Sequence, residues 1–492
     1  MKILRLVAAA VIFAIATSCA SPEQQQNKDY SKATEDTIKM VENGLCGSIQ
    51  IQDSVNTWNL EQRMAENKIY GLSIAVIRNY KIAWARGYGL ADTATGAVVT
   101  EQTLFQAASI SKSLNAVGVL KLVQDKKADL YADINNYLVS WKFPYDTVSH
   151  GKKISLANLL SHTAGLTVHG FAGYEYGAKI PTVTQILDGK KPANSAAIRS
   201  MMEPGLRSVY SGGGTTISQM IVQDITKQPY AEYMEQKVLY PIGMTGSSYQ
   251  QPPSKDMEEY LSTGYRENGE EIKRKYHIYP EQAAAGLWTN PTDLAKYIIE
   301  TQLSLQGKSN KVLSQEMTKL RLTPYIDSNA ALGTFIITKG NEKYFSHGGS
   351  NEGFRCQYYG SFDGGNGVVV MVNSDNGRLL DEVINSVAKV YGWKNFYTPK
   401  TKKAIAVTNE MLKPYLGDYL LGTDTITVTT QTGRPRIVIN HSFGFDIYFT
   451  SPQDFFTRDL PFDLKFEKDS KGNVTNIYFK NDEGEKRAKK MQ

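Results

Sequence analysis

Two groups of β-patterned segments lie far apart in this chain, with mostly helical sequence between them. Gly71 to Ile77 and Lys81 to Gly87 are β-rich runs on either side of Asn79-Tyr80, which predicts a hairpin. Comparable runs return only at Lys343 to His347, Arg355 to Phe362 and Gly367 to Asn373, the last two joined by Asp363-Gly364-Gly365 and followed by a helix from about Leu379 to Tyr391. Ser113 to Gln124, Ser155 to Leu160 and Thr216 to Ile225 in between carry helical spacing. Strands at both ends with helices inside predict one antiparallel sheet assembled from distant segments and an inserted helical lobe, an α/β (α+β) domain. Past Tyr397 to Lys400 the pattern changes to short alternating strands at Thr425 to Thr430, Arg436 to Asn440, Asp446 to Thr450, Phe462 to Glu467 and Asn476 to Lys480. The expected organisation is a main domain over 35–398 and a separate all-β domain over 405–492, the latter packing on the main domain or shaping access to it.

The amino terminus reads as an address. Lys2 and Arg5 precede an apolar run from Leu6 to Ala16, long enough for a signal peptide and too short to span a bilayer. Ala16-Thr17-Ser18-Cys19 resembles the lipobox of bacterial lipoproteins, whose cysteine is acylated after cleavage. This gives a signal peptide over 1–18, a lipidated Cys19, a polar tether over 19–34, and a membrane-anchored protein facing the periplasm or cell exterior. A plain secretory signal is the alternative. Only Cys46 and Cys356 remain, too few for a disulfide framework, and the sequence leaves open whether they pair. The six His are scattered without ligand spacing, so no metal and no cofactor is expected. The net charge of +6 comes from interspersed signs, which argues against a nucleic-acid partner.

Ser109 and Lys112 stand three apart at the start of the helix whose apolar positions are Ile110, Leu114, Val117 and Leu120. That spacing puts both side chains on one face, and turns Ser111 elsewhere. A serine hydroxyl needs an adjacent base to become a nucleophile, and a lysine held in a low-dielectric site can be one. Near a helix start, free backbone N–H groups can also hold a developing oxyanion. Tyr210 follows Pro204-Gly205 and precedes Ser211-Gly212-Gly213-Gly214, which presents it at a glycine-lined edge. His347-Gly348-Gly349-Ser350 ends a strand and exposes backbone where an extended substrate could lie.

With Leu159-Leu160-Ser161-His162-Thr163-Ala164-Gly165-Leu166, Pro241-Ile242-Gly243-Met244-Thr245 and Ala284-Ala285-Gly286-Leu287-Trp288-Thr289, these segments resemble landmarks of the serine β-lactamase and penicillin-binding-protein superfamily, in its class C-like branch of esterases and D-amino-acid peptidases. The resemblance implies a transpeptidase-like antiparallel sheet flanked by helices; the carboxy-terminal part is similar to the small lipocalin-like barrel appended to some members. It implies Ser109 as nucleophile, Lys112 as its activator and Tyr210 as the acid/base that carries the proton to the leaving group. Backbone N–H groups of Ser109 and Ser350 would form the oxyanion hole, and His347, Gly348, Gly349 and Gly212 would meet the substrate.

Two positions depart from the family pattern. Tyr-x-Asn is here Tyr210-Ser211-Gly212, which lacks the amide that would hold an acyl group, and Lys-Thr-Gly is here His347-Gly348-Gly349. A histidine is mostly neutral at pH 7 and anchors a substrate carboxylate poorly. The expected function is an extracytoplasmic serine hydrolase of esters, amides or D-amino-acid peptides, including cell-wall peptides, in preference to a true β-lactamase. A penicillin-binding sensor or scaffold that acylates slowly or not at all is the alternative. His162 is read as a local cap at a helix end, and Val168 to Gly177 and Tyr276 to Pro280 as loops at a pocket rim.

Overall fold

The computed structural model describes residues 28–430, 433–440, 443–459, 462–481 and 484–491. The expected signal peptide, Cys19 and most of the tether lie outside them. Helix α1 (Lys32–Glu42), capped by Ser31, begins before the expected end of the tether at residue 34.

The main sheet is built from β1 (Gly71–Arg78), β2 (Lys81–Asp92), β3 (Ala97–Val98), β4 (Ala330–Ala331), β5 (Thr334–Lys339), β6 (Glu342–Asn351), β7 (Phe354–Ser361) and β8 (Gly367–Val372), in the order β3-β2-β1-β8-β7-β6-β5-β4. All the pairings are antiparallel, and β8 lies against β1 with Val369 opposite Ala75, so the two distant strand groups do form one sheet. Period-two alternation sorts its side chains. Leu72, Ile74, Val76, Val368, Val370 and Val372 join the core that includes α1 and α7 (Arg378–Val390). Ala75, Ile77, Val369 and Met371 face the opposite core, shared with α2 (Ser111–Gln124) and α6 (Pro291–Leu305).

Helix α2 differs from the one-faced helix expected. It is buried on all sides from Ser111 to Leu120. Its polar groups are matched: Ser113 Oγ donates to Gly333 O (2.7 Å), and Asn115 Nδ2 to Ser218 Oγ (2.9 Å). The helical lobe around it includes α3 (Leu156–Leu160), α4 (Gly212–Thr226) and α5 (Gln282–Ala285).

The carboxy-terminal residues form a second sheet of nine strands, from Phe443–Asp446 at one edge to Tyr448–Phe449 at the other. These edge strands are consecutive in the chain, separated by Ile447, so the sheet curls into a nearly closed barrel. The segment Asp446 to Thr450, expected as one strand, is therefore split between two edges. Stacked rings fill the interior, Tyr415 and Phe455 lying 4.3 and 4.5 Å from Phe466, where a lipocalin-like cup would be open. The barrel docks on the α1/α7 side. The Arg458 guanidinium stacks 3.8 Å from the Trp58 ring, Arg378 lies 3.7 Å over Phe445, and Ile49–Ile51 pairs in parallel with Lys400–Lys402. Beside this junction Arg63 forms a buried ion pair with Glu382 of α7.

Candidate active site

Ser109 sits in the single 3₁₀ turn Ala108–Ile110 that leads into α2. Its predecessor Ala108 has φ +48°, a left-handed conformation that a non-glycine residue holds only when its surroundings impose it, at a cost of roughly 1 kcal/mol or more. The surroundings are visible. Phe105–Gln106 pairs with Trp288–Thr289, and Ala107 N donates to Leu287 O (2.8 Å). On the other side Cys356 Sγ approaches Ala107 O at 3.2 Å, and a Cβ on Gly349 would lie 2.3 Å from that oxygen. Only glycine lets β6 pass so close to the turn.

The turn places Ser109 Oγ, partly exposed, 3.0 Å from Lys112 Nζ, which is buried and also donates to Ala284 O of α5 (2.7 Å). Ser111 points away, its Oγ accepting from Leu287 N (3.0 Å). Tyr210 brings its ring centroid to 5.0 Å from Lys112 Nζ. The three residues singled out from their spacing are thus assembled in one place.

Strand β6 borders this cluster. Its pairing with β5 ends at Ser346, so His347 to Asn351 pairs with β7 on one edge and leaves the other edge, toward the Ser109 turn, free of a strand partner. Ser350 lies on this stretch and is exposed. His347 is buried, with Nδ1 2.6 Å from Gly348 O and Nε2 without a partner. Burial, reinforced by the Lys112 charge, pushes its pKa down to about 3, so the ring is neutral at pH 7.

Gly212 requires a correction. It is the first residue of α4, buried, with its N–H donating to His169 O (3.1 Å). A Cβ there would meet the Phe171 ring at 3.1 Å and His169 O at 3.3 Å, so the loop packs closely over this position. Gly212 is thus buried beneath the loop instead of lining an open surface. The glycine run is the first turn of α4, with Ser211 Oγ accepting from Gly214 N (3.0 Å) as its cap.

His162 does stand at the end of α3, but its side chain bonds outside the helix. It follows Ser161, the last residue of the α3 cap, with φ +61°, and its ring turns away from the helix end. Nδ1 accepts the Ser211 N–H (3.2 Å), and the ring lies 4.3 Å from that of Tyr210. Burial, Lys112 and His347 hold its pKa well below the ordinary histidine value. Phe335 of β5 completes the group, 6.4 Å from the Tyr210 ring and 5.3 Å from His347. No local signal marks Phe335, because strand register alone places it opposite Ser346. The two aromatic loops meet each other: Tyr174–Glu175 pairs with His277–Ile278, and Gln106 Nε2 beside the nucleophile turn donates to His277 O (2.7 Å).

Among the described residues no three His, Cys, Asp or Glu side chains converge on a metal position. Surface cavities of about 490 Å³ beside Glu235 and Asp293 and about 650 Å³ beside Arg86 and Tyr88 contain none of Ser109, Lys112 and Tyr210. The chemistry is located by the geometry of those three side chains and not by cavity size.

The chain is similar to known proteins over most of its length. Residues 59–389 match the family model described as Beta-lactamase. Protein flp of Staphylococcus aureus (strain N315) is 23% identical over 345 residues, covering 69% of this chain and 66% of its own length. In fold, the chain is similar to the octameric penicillin-binding protein homologue from Pyrococcus abyssi (TM-score 0.60, 19% identity, 87% of this chain and 98% of that one). It is also similar to the D-amino acid amidase from Ochrobactrum anthropi SV3 (TM-score 0.55, 19% identity, 73% and 98%). The chain belongs to the beta-lactamase family of serine hydrolases, in its class C-like branch, and carries a nearly closed barrel at its carboxy terminus.

Proposed function

We propose that this chain is an exported, lipid-anchored hydrolase that forms an acyl-enzyme on Ser109 with ester, amide or D-amino-acid peptide substrates and releases it to water. The contact of Lys112 Nζ with Ser109 Oγ at 3.0 Å beside the Tyr210 ring carries the reading. As Ser109 Oγ attacks the substrate carbonyl, its proton passes to the Lys112–Tyr210 pair. The oxyanion is met by the N–H groups of Ser109 and Ser350 on the open edge of β6. Collapse breaks the bond to the leaving group, which takes the proton from Tyr210; a water then attacks the acyl carbonyl and restores Ser109.

The substrate class follows from what the site lacks. A neutral His347 provides no fixed charge for a terminal carboxylate, and Gly212 provides no side-chain amide to hold a β-lactam acyl group. Both features disfavour efficient β-lactam turnover. The D-amino acid amidase in the fold comparison suggests D-amino-acid derivatives as the amide class to try first. The missing amide at Gly212 also favours a second reading, a penicillin-binding sensor that acylates and deacylates slowly.

A panel of p-nitrophenyl esters, D- and L-amino-acid p-nitroanilides, a D-alanyl-D-alanine peptide and nitrocefin separates these readings. Steady turnover of esters or D-amino-acid amides, lost by about 10⁴ or more in Ser109→Ala, is expected. A burst of one equivalent without turnover selects the sensor, and Ser109→Ala at the wild-type rate overturns both. Export and anchoring are tested by Cys19→Ala, which should move the protein from the membrane to the soluble fraction.

A further inference from the structure

We propose that His162 is the positioning residue of Tyr210, an assignment that rests on the acyl-enzyme reading above. The two residues flanking Tyr210 are both tied to His162: Val209 N donates to the His162 carbonyl (2.7 Å), and Ser211 N donates to its Nδ1 (3.2 Å). The ring then lies against the phenol, centroids 4.3 Å apart at 37°, with Phe335 beside both rings, 6.3 Å from His162 and 6.4 Å from Tyr210. Tyr210 is thereby fixed at its backbone on both sides and along one ring face, with Lys112 Nζ 5.0 Å from its ring centroid.

The conformation of His162 serves this grip. At φ +61° the residue is the left-handed position after the α3 C-cap, closed by Thr163 N donating to Asn158 O (2.9 Å), and the segment around it is bonded to 201–211 at successive points. Gly165 O accepts from Met201 N (2.8 Å), Thr163 O from Gly205 N (2.8 Å) and His162 O from Val209 N. Asn158 Nδ2 braces the segment through Thr163 Oγ1 (3.0 Å). The acceptor role at Nδ1 requires the tautomer with its proton on Nε2. A charged imidazolium would present an N–H to the Ser211 N–H and break the contact, and the buried setting beside Lys112 and His347 opposes that charge. His162 touches no reacting atom, so its effect runs through the placement of the Tyr210 hydroxyl, where a displacement near 1 Å costs on the order of 100-fold in rate.

The test compares His162→Phe, which keeps a ring and loses the acceptor, with His162→Asn, whose Oδ1 can accept the Ser211 N–H. Each is made in the full chain alone and with Tyr210→Phe, and kcat and KM are measured on a p-nitrophenyl ester. His162→Phe should lower kcat about 30- to 100-fold with KM within about threefold, His162→Asn should stay within about fivefold of wild type, and the His162→Phe loss should shrink to about threefold or less in the Tyr210→Phe background. An unchanged kcat, or a loss that multiplies undiminished with that of Tyr210→Phe, overturns the assignment. Should His162→Phe not fold, ¹⁵N spectra of histidine-labelled wild type decide: an unprotonated, hydrogen-bonded Nδ1 supports the role and an Nδ1–H tautomer overturns it. Ser109→Ala, assayed in parallel, separates the two levels. Full activity there removes the acyl-enzyme reading, whereas an inactive Ser109→Ala beside a fully active His162→Phe removes only the role of His162.

Discussion

Glu281 offers a test of the electrostatics behind the site. It precedes α5, the helix whose Ala284 carbonyl accepts from Lys112 Nζ, and is fully buried with neither carboxylate oxygen hydrogen-bonded. Burial raises its pKa from 4.5 to about 8. Between those values the folded protein holds a proton that the unfolded chain has lost, so stability falls as pH rises, by up to about 1.4 kcal/mol per pH unit. Across the whole window the loss is about 4 to 5 kcal/mol, complete by pH 9. Glu281→Gln keeps the shape and removes the ionisation. Denaturant unfolding of both proteins at pH 5, 7 and 9 should show them within about 1 kcal/mol of each other at pH 5 and diverging by about 4 to 5 kcal/mol in favour of Glu281→Gln at pH 9. Taking the difference between the proteins cancels every other titrating group. A gap that stays constant with pH would refute the reasoning, for it would mean that the carboxylate is solvated or paired in the folded state.

Other expectations concern the site and the junction. Lys112→Met should lower the rate of Ser109 acylation by about 10³ or more while binding of a substrate analogue persists, since it removes the base and keeps the bulk of the side chain. Gly349→Ala places a Cβ 2.3 Å from Ala107 O, forcing β6 off the nucleophile turn; kcat should fall about 100-fold with a small change in melting temperature. Arg63→Ala strands the buried Glu382 carboxylate and should cost about 3 to 5 kcal/mol in unfolding experiments, with loss of the barrel's docking visible as faster proteolysis between residues 397 and 410.

The legible parts of this chain were those with local periodicity. The 71–92 hairpin, the three strands over 342–372 and the helix after them follow from alternation, and the Ser109–Lys112 contact follows from three-residue helical spacing. Gly212 to Gly214 reads as a glycine-lined edge ahead of a helix from Thr216, because glycine disfavours helix by about 1 kcal/mol per residue. Tertiary contacts reverse this: a Cβ on Gly213 would lie 2.9 Å from Ile198, and Ser211 caps the turn, so only glycine allows α4 to start there. The neighbours of His162 in sequence do mark a helix end, but the partner of its side chain lies nearly fifty residues on, at Ser211. Phe335 and the pairing of the two aromatic loops depend on long-range register that leaves no local trace. In the barrel, Gly484–Lys490 was missed because that strand is mostly exposed and charged, with Ala488 as its buried residue.

Intact-mass spectrometry of the full chain and of Ser109→Ala, each treated with an alkyl fluorophosphonate, tests the central claim most directly. A single adduct on the wild type, mapped to the Ser109 peptide and absent from Ser109→Ala, is the result the account predicts. A folded wild type that takes no adduct, or an adduct that survives in Ser109→Ala, would contradict it.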